Sequence, residues 1–147
     1  MMNAILVVCV GNICRSPVAE ALLKAHFPDM RIWSAGLAAL VGKPADPTAS
    51  AIAAQSGVDL SGHRAQQISG WMCSEAELIL VMETGHRSEL EQQFPLARGK
   101  IHRLGEGQDG GVDIADPYKK PRSAFEAAHA AIEHSVTHWA SRIRKLS

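Results

Sequence analysis

The sequence has few cysteines and no excess of either charge, and each of these absences excludes a class of protein. Three cysteines, an odd number, argue against the paired disulfide framework of a small secreted protein. Lysine plus arginine equals aspartate plus glutamate at 15 each, so no overall field favours nucleic acid or an anionic membrane. We therefore expect neither as a partner, and any attraction for an anion must be local.

Long apolar runs, repeats and low-complexity linkers are also missing. No apolar stretch approaches the roughly 20 residues that span a bilayer, and the N-terminus does not resemble a secretory signal. These features predict a cytoplasmic protein with no membrane insertion. With 147 residues and 46% hydrophobic content, the chain fits one domain spanning residues 1–147, and we expect a monomer.

Strand and helix patterns alternate along the chain. Short apolar runs predict strands at residues 4–8, 31–35, 78–82 and 101–104. Helices are predicted from a Ser16 cap, from Asp46-Pro47 to before Gly57, at 69–73, from a Thr84 cap to about Phe94, and from Ser123 onward, with a glycine-rich loop at 105–112. This order predicts an α/β fold: a doubly wound, four-stranded parallel sheet with helices on both faces and flavodoxin-like topology.

The most informative stretch joins the first strand to the first helix, and we call it the anion loop. It reads Cys9-Val10-Gly11-Asn12-Ile13-Cys14-Arg15-Ser16. Five residues between Cys9 and Arg15 are enough to wrap the backbone into a ring whose N–H groups point at an anion, with the helix dipole behind them. Gly11 and Asn12 both tolerate the positive φ that such a ring requires.

The side chains of this loop suit the binding and attack of a phosphate. A positive environment favours the nucleophilic thiolate form of Cys9. Arg15 supplies a planar fork that grips two phosphoryl oxygens, and Ser16 can donate a hydrogen bond to the sulfur. No metal or other cofactor is required.

Asp116-Pro117 is by itself only a common turn initiator. The presence of the anion loop suggests a catalytic role for its aspartate. A phosphate ester with a phenolate leaving group needs a proton, and Asp116 on a loop can deliver one. Tyr118 follows directly, and it either stacks on the substrate ring or is simply an exposed loop aromatic.

The anion loop with its flanking Val8 and Pro17, followed by Ala19-Glu20, resembles the signature of the low-molecular-weight protein tyrosine phosphatases. Further segments resemble that family in the same order: Ser34-Ala35-Gly36, Ser61-Gly62-His63-Arg64-Ala65, Leu78-Ile79-Leu80-Val81-Met82 and Asp116-Pro117-Tyr118. The resemblance implies that Cys9 is the nucleophile, Arg15 the phosphate clamp and Asp116 the general acid. It also implies a polar network of Asn12, Ser16, Ser34 and His63 that shapes the loop and steadies the thiolate.

Leu40 and Lys119 depart from common family forms. The family usually has an aromatic residue where Leu40 stands, and a leucine there resembles the bacterial subgroup linked to exopolysaccharide and capsule export. That resemblance implies a phosphotyrosine protein as partner, specifically a bacterial tyrosine autokinase, with Leu40 and Tyr118 at the substrate pocket. The alternative is that Leu40 is only a partly buried loop residue. Lys119 replaces a second tyrosine, so phosphorylation of a tyrosine pair is not expected.

Two other functions fit part of the pattern. Arsenate reductases of similar fold use the same loop but need a later pair of cysteines, and only Cys73 follows Cys14 here. A non-catalytic phosphopeptide-binding module would need neither Cys9 nor Asp116. Cys14 could form a reversible disulfide with oxidised Cys9 or could be a small apolar filler.

Overall fold

A computed structural model describes residues 2–107 and 111–146. Its strands are β1 (Ala4–Cys9), β2 (Arg31–Gly36), β3 (Leu78–Val81) and β4 (Ile101–Arg103). Its α-helices are α1 (Ser16–His26), α2 (Pro47–Gln55), α3 (Gly70–Glu75), α4 (Thr84–Gln93) and α5 (Arg122–Leu146), and 3₁₀ helices cover Pro95–Ala97 and Leu104–Gly107.

The four strands form one parallel sheet in the order β2-β1-β3-β4. This is the order of a doubly wound sheet of flavodoxin-like topology, so the predicted fold class is confirmed. The direction of the strand order reverses beside β1, between β1 and β3. Ligands of such sheets bind beyond the carboxyl ends of the strands at this point, where the anion loop begins.

Strand β1 is buried along its whole length because both faces of the sheet are covered. Ile5, Val7 and Cys9 belong to a core formed with α1 and α5, whereas Leu6 and Val8 belong to a second core formed with α3 and α4. Consecutive strand residues point to opposite faces, so a two-sided core requires a continuous apolar run. This explains why Ala4 to Val8 shows no alternation of polar and apolar residues.

Three local expectations need correction. Ser16 is the first residue of α1 and not its cap, because its hydroxyl is engaged in the anion loop. Thr84 likewise begins α4, and Glu83 occupies the cap position. Part of the predicted loop at 105–112 is a 3₁₀ helix that ends at Gly107, and residues 108–110 of that loop lie outside the described residues.

Two expectations about helix ends and faces are confirmed. Asp46 caps α2, since its Oδ1 accepts hydrogen bonds from the N–H groups of Thr48 (2.8 Å) and Ala49 (3.3 Å). The helix predicted from Ser123 onward is α5, which begins at Arg122, and its buried face includes Phe125, Ala128, Ile132, Val136, Trp139 and Ile143. Within the described residues, no helix has the length and apolar character needed to cross a membrane.

Candidate active site

The carbonyl groups of residues 9–13 in the anion loop point away from its centre, toward partners outside the loop. Those of Cys9, Val10 and Gly11 accept hydrogen bonds from the N–H groups of Leu37 (2.9 Å), Ala38 (3.0 Å) and Leu40 (3.0 Å), in that order. The carbonyl of Asn12 contacts His63 Nε2 at 2.6 Å, and that of Ile13 accepts from the N–H of Asp46 at 2.8 Å.

The N–H groups of the loop are therefore directed inward. Among the described residues, no protein group accepts a hydrogen bond from the N–H groups of residues 11–15. A peptide unit whose oxygen points outward directs its N–H in the opposite sense, so the ring presents several donors to one point. Helix α1 begins directly behind them, and its dipole adds positive potential. Such a ring is built to hold an anion.

Asn12 is the residue that shapes this ring. Its φ of 60° lies in the left-handed region, which asparagine tolerates better than most residues. Its buried Nδ2 donates to Ser16 Oγ (2.8 Å) and to Ser34 Oγ (2.9 Å), and its Oδ1 accepts from the N–H of Gln66 (2.9 Å). Ser16, Ser34 and His63 thus meet Asn12 directly, as the family resemblance implied.

Cys9 lies at the floor of the loop, with only 2% of its surface exposed. Its Sγ lies 2.9 Å from Ser16 Oγ. Because Asn12 Nδ2 already donates to that hydroxyl oxygen, the hydroxyl hydrogen is free to point toward the sulfur. A thiolate at Cys9 would therefore receive a hydrogen bond.

Arg15 is almost completely buried, and a fixed frame holds one end of its guanidinium group. Nη1 donates to Glu83 Oε2 (2.6 Å) and to the carbonyl of Ile114 (2.7 Å). Nε is buried and has no hydrogen-bond partner among the described residues. A buried donor without a partner is costly, and an anion in the loop would satisfy it.

Asp116 lies across from Arg15, and 44% of its side chain is exposed. Its Oδ1 accepts a hydrogen bond from the N–H of Tyr118 (3.0 Å), while its Oδ2 lies 3.8 Å from Arg15 Nη2. The turn therefore fixes the carboxyl group so that one oxygen is directed toward the anion-binding side. This geometry suits a proton donor to a group bound in the loop.

One cavity of about 140 Å³ brings these groups together. Its lining comprises Cys9, Val10, Gly11, Ile13, Cys14, Arg15, Ala38, Leu40, Asp116 and Tyr118. Leu40 and Tyr118 are each 40% exposed, so both can contact a ligand. The structure thus brings the predicted pocket residues to the predicted loop.

Cys14 packs into a small apolar cluster beneath the loop. The cluster contains Ile13, Cys14, Ala49, Ile52, Ala65 and Phe125. Burial, assisted by the nearby negative charges of Asp46 and Asp116, raises the pKa of the Cys14 thiol to about 12. A thiol in this state is a weak nucleophile, which favours the role of apolar filler. Disulfide formation with Cys9 stays a prediction.

Sequence reasoning missed three residues of the site, namely Glu20, Gln66 and Glu83. Glu20 Oε1 accepts a hydrogen bond from Ser34 Oγ (2.5 Å), and Gln66 supports Asn12 and the carbonyl of Ser34 (2.9 Å). A signal for Glu83 did exist, since it follows the carboxyl end of β3, the strand beside β1. Glu20 stands just beyond the loop as part of the family signature, although no role was assigned to it, whereas Gln66 gave no comparable signal because only the folded chain brings it to the loop.

Comparisons with known proteins agree with this geometry. The family model for low molecular weight phosphotyrosine protein phosphatase matches residues 4–147. The low molecular weight protein-tyrosine-phosphatase Wzb of Escherichia coli strain K12 is 48% identical over 143 residues, which cover 97% of each chain.

Two solved structures have the same fold over nearly the whole chain. The tyrosine phosphatase AmsI of Erwinia amylovora is 48% identical with a TM-score of 0.93, and the match covers 97% of this chain and 93% of that one. Wzb of Vibrio vulnificus in complex with benzylphosphonate is 44% identical with a TM-score of 0.92, and the match covers 97% and 99%. All three relatives are bacterial.

Proposed function

This chain belongs to the low molecular weight phosphotyrosine protein phosphatase family and is a protein-tyrosine phosphatase, and from that premise we propose that it acts through a phospho-cysteine intermediate. The observation that carries the proposal is the ring of inward N–H groups, with Cys9 at its floor and Arg15 beside it. A bound phosphoryl group would satisfy the donors of the ring and meet the thiolate at the same time.

The first step transfers the phosphoryl group to sulfur. The Cys9 thiolate attacks phosphorus in line with the bond to the tyrosine oxygen, while Arg15 and the loop N–H groups hold the equatorial oxygens. The S–P bond forms, the P–O bond breaks, and protonated Asp116 gives its proton to the departing phenolate.

The second step regenerates the enzyme. Asp116, now a carboxylate, takes a proton from a water molecule that attacks the phospho-cysteine. The S–P bond breaks, inorganic phosphate leaves and Cys9 is again a thiolate, stabilised by the Ser16 hydroxyl. Ser16 contacts the sulfur, so it assists Cys9 both as nucleophile and as leaving group.

A comparison of leaving groups tests the role of Asp116. The variant Asp116→Ala should lose far more activity on a phosphotyrosine peptide than on p-nitrophenyl phosphate, whose leaving group needs no proton. Asp29→Ala is the matched control, because Asp29 is exposed and does not line the cavity. Equal loss on both substrates, or no loss on either, would show that Asp116 is not the acid.

Trapping tests the covalent step. Rapid acid quenching of the wild-type enzyme should yield protein heavier by one phosphoryl group, located on Cys9, and Cys9→Ser should abolish phosphate release. If the phosphorylated species is absent both from wild type and from Asp116→Ala, which lacks the proposed base of the second step, the mechanism is contradicted.

We further propose that the natural substrate is a bacterial tyrosine autokinase of exopolysaccharide or capsule export, and that the enzyme acts on it in the cytoplasm. The support is the resemblance carried by Leu40, together with the lining of the cavity by Leu40 and Tyr118. A phosphoproteomic comparison of cells carrying wild-type enzyme and Cys9→Ser would test it. The autokinase should gain phosphotyrosine in the variant, and an unchanged autokinase would refute the assignment.

Neither alternative function has a supporting observation. Cys73, the one later cysteine, belongs to the core on the opposite face of the sheet from Cys9. A thiol buried there is badly positioned to pass oxidation from Cys9, as an arsenate reductase requires. A phosphopeptide-binding module would need neither the buried contact between Cys9 and Ser16 nor Asp116 across the cavity.

A further inference from the structure

Lys119 directly follows Tyr118 in the turn beside the cavity. The two residues occupy the centre of a turn that is closed by a hydrogen bond from the N–H of Lys120 to the carbonyl of Pro117 (2.9 Å). Tyr118 lines the cavity, and Lys119 Nζ lies 5.5 Å from the centroid of its ring. A positive charge therefore lies beside the surface that would contact the substrate ring.

The backbone of Lys119 is unusual for a lysine. Its φ of 62° lies in the left-handed region, and a turn of this kind favours glycine or asparagine at this position. The turn itself therefore does not account for a lysine. Strained residues of this kind concentrate at ligand-binding sites, where the side chain serves a purpose that offsets the strain.

The two lysines of this turn carry charges that no carboxylate in the described part of the chain neutralises by direct contact. Lys119 and Lys120 are exposed, and neither forms a salt bridge with any residue in the ranges 2–107 and 111–146. Arg122 differs, because its Nε lies 3.7 Å from Glu126 Oε2. Since the chain as a whole carries no net charge, attraction for an acidic group at this turn must come from a local cation, and among the described residues Lys119 is the one whose ammonium group lies over the ring of Tyr118.

We propose that Lys119 determines specificity by attracting an acidic side chain that lies within about two residues of phosphotyrosine in the substrate. An extended peptide advances about 3.3 Å per residue, so such a side chain comes within reach of an ammonium group beside Tyr118. The inference rests on the proposed function, because it takes a phosphotyrosine peptide as the occupant of the cavity.

Two phosphotyrosine peptides test this inference, identical except that one has Glu and the other Gln on either side of phosphotyrosine. The enzymes are wild type, Lys119→Asn, Lys119→Arg and the control Lys145→Asn. Asparagine tolerates a positive φ, so Lys119→Asn removes the charge without added backbone strain. Lys145 is exposed near the end of α5, and its replacement changes the net charge by the same amount.

The free energy of an exposed ion pair corresponds to a kcat/KM about two- to fivefold higher for the Glu peptide than for the Gln peptide. Wild type, Lys119→Arg and Lys145→Asn should show this preference for the Glu peptide, expressed in KM and weakened by salt. Lys119→Asn should turn over both peptides equally. All four enzymes should hydrolyse p-nitrophenyl phosphate alike, because that substrate has no flanking residues.

The inference is overturned if Lys119→Asn keeps the full preference, if wild type shows none, or if Lys145→Asn loses it to the same extent. Failure of the proposed function would look different. In that case wild type would hydrolyse neither peptide, and both proposals would fall together.

Discussion

Replacement of Gly36 by alanine should displace the anion loop and impair turnover. Gly36 ends β2 beside Cys9, and a Cβ atom built on it would lie 2.3 Å from the carbonyl oxygen of Val10 and 3.0 Å from Ala39 Cβ. The first distance is about 1 Å shorter than an ordinary carbon-to-oxygen contact of about 3.3 Å. Both contacts involve the backbone or a methyl group held by it, so no flexible side chain can move aside.

The loop has little freedom to retreat by that distance. The carbonyl groups of Cys9, Val10 and Gly11 are all held by N–H groups of the segment that follows Gly36. A shift of about 1 Å must stretch these bonds and misdirect the inward N–H groups. Misplacement of this size can lower the rate about 100-fold, and overpacking of a tight site costs about 1–3 kcal/mol of unfolding free energy.

Steady-state kinetics with p-nitrophenyl phosphate and urea denaturation measure both effects. Gly85→Ala is the control, because a Cβ atom there has no neighbour within 4 Å. Gly85 lies in the first turn of α4, so alanine should leave activity unchanged and raise stability by up to about 1 kcal/mol. If Gly36→Ala keeps activity within threefold of wild type, a Cβ atom at residue 36 does not displace the anion loop as reasoned above.

Two further predictions concern stability. Asp46→Ala removes the cap of α2 and should lower the unfolding free energy in urea by about 1 kcal/mol, whereas Asp46→Asn should lose less; equal losses would mean that capping is not the cause. Burial and the nearby charge of Arg15 hold the pKa of His86 below its ordinary value of 6.5. As pH falls, His86 is therefore protonated in the unfolded chain before it is protonated in the folded protein. Its protonation in the unfolded chain lowers the free energy of unfolding progressively below about pH 6.5. The stability of wild type relative to His86→Gln should decline between pH 7 and pH 5 in urea titrations, and a pH-independent difference would contradict this.

The anion loop and the fold could be predicted because their signals are local. A buried strand shows as an apolar run, and a strand-to-helix loop with Gly11 and Asn12 has few conformations open to it. Asp116 could be assigned only once the loop had suggested a phosphate ester. The position of its carboxyl group opposite Arg15 depends on how the 116–120 turn docks, and no local pattern predicts that.

The predicted cap at Ser16 failed for an instructive reason. Serine before Pro17 is a common way to begin a helix, and the local pattern gave no sign of a competing use. In the folded chain the hydroxyl meets Cys9 Sγ and Asn12 Nδ2, so it serves the site and leaves the helix without a side-chain cap.

By itself the sequence determined the strand and helix order, the loop that carries Cys9 and Arg15, and the chemistry that a thiol and a guanidinium can share, because all of these depend on residues close together in the chain. Only the tertiary structure decided that Glu83 holds Arg15, that Glu20 and Gln66 support the loop, and that the turn carrying Tyr118 and Lys119 docks at the cavity. Those contacts join distant segments at the carboxyl edge of the sheet, so they exist only once the strands have assembled.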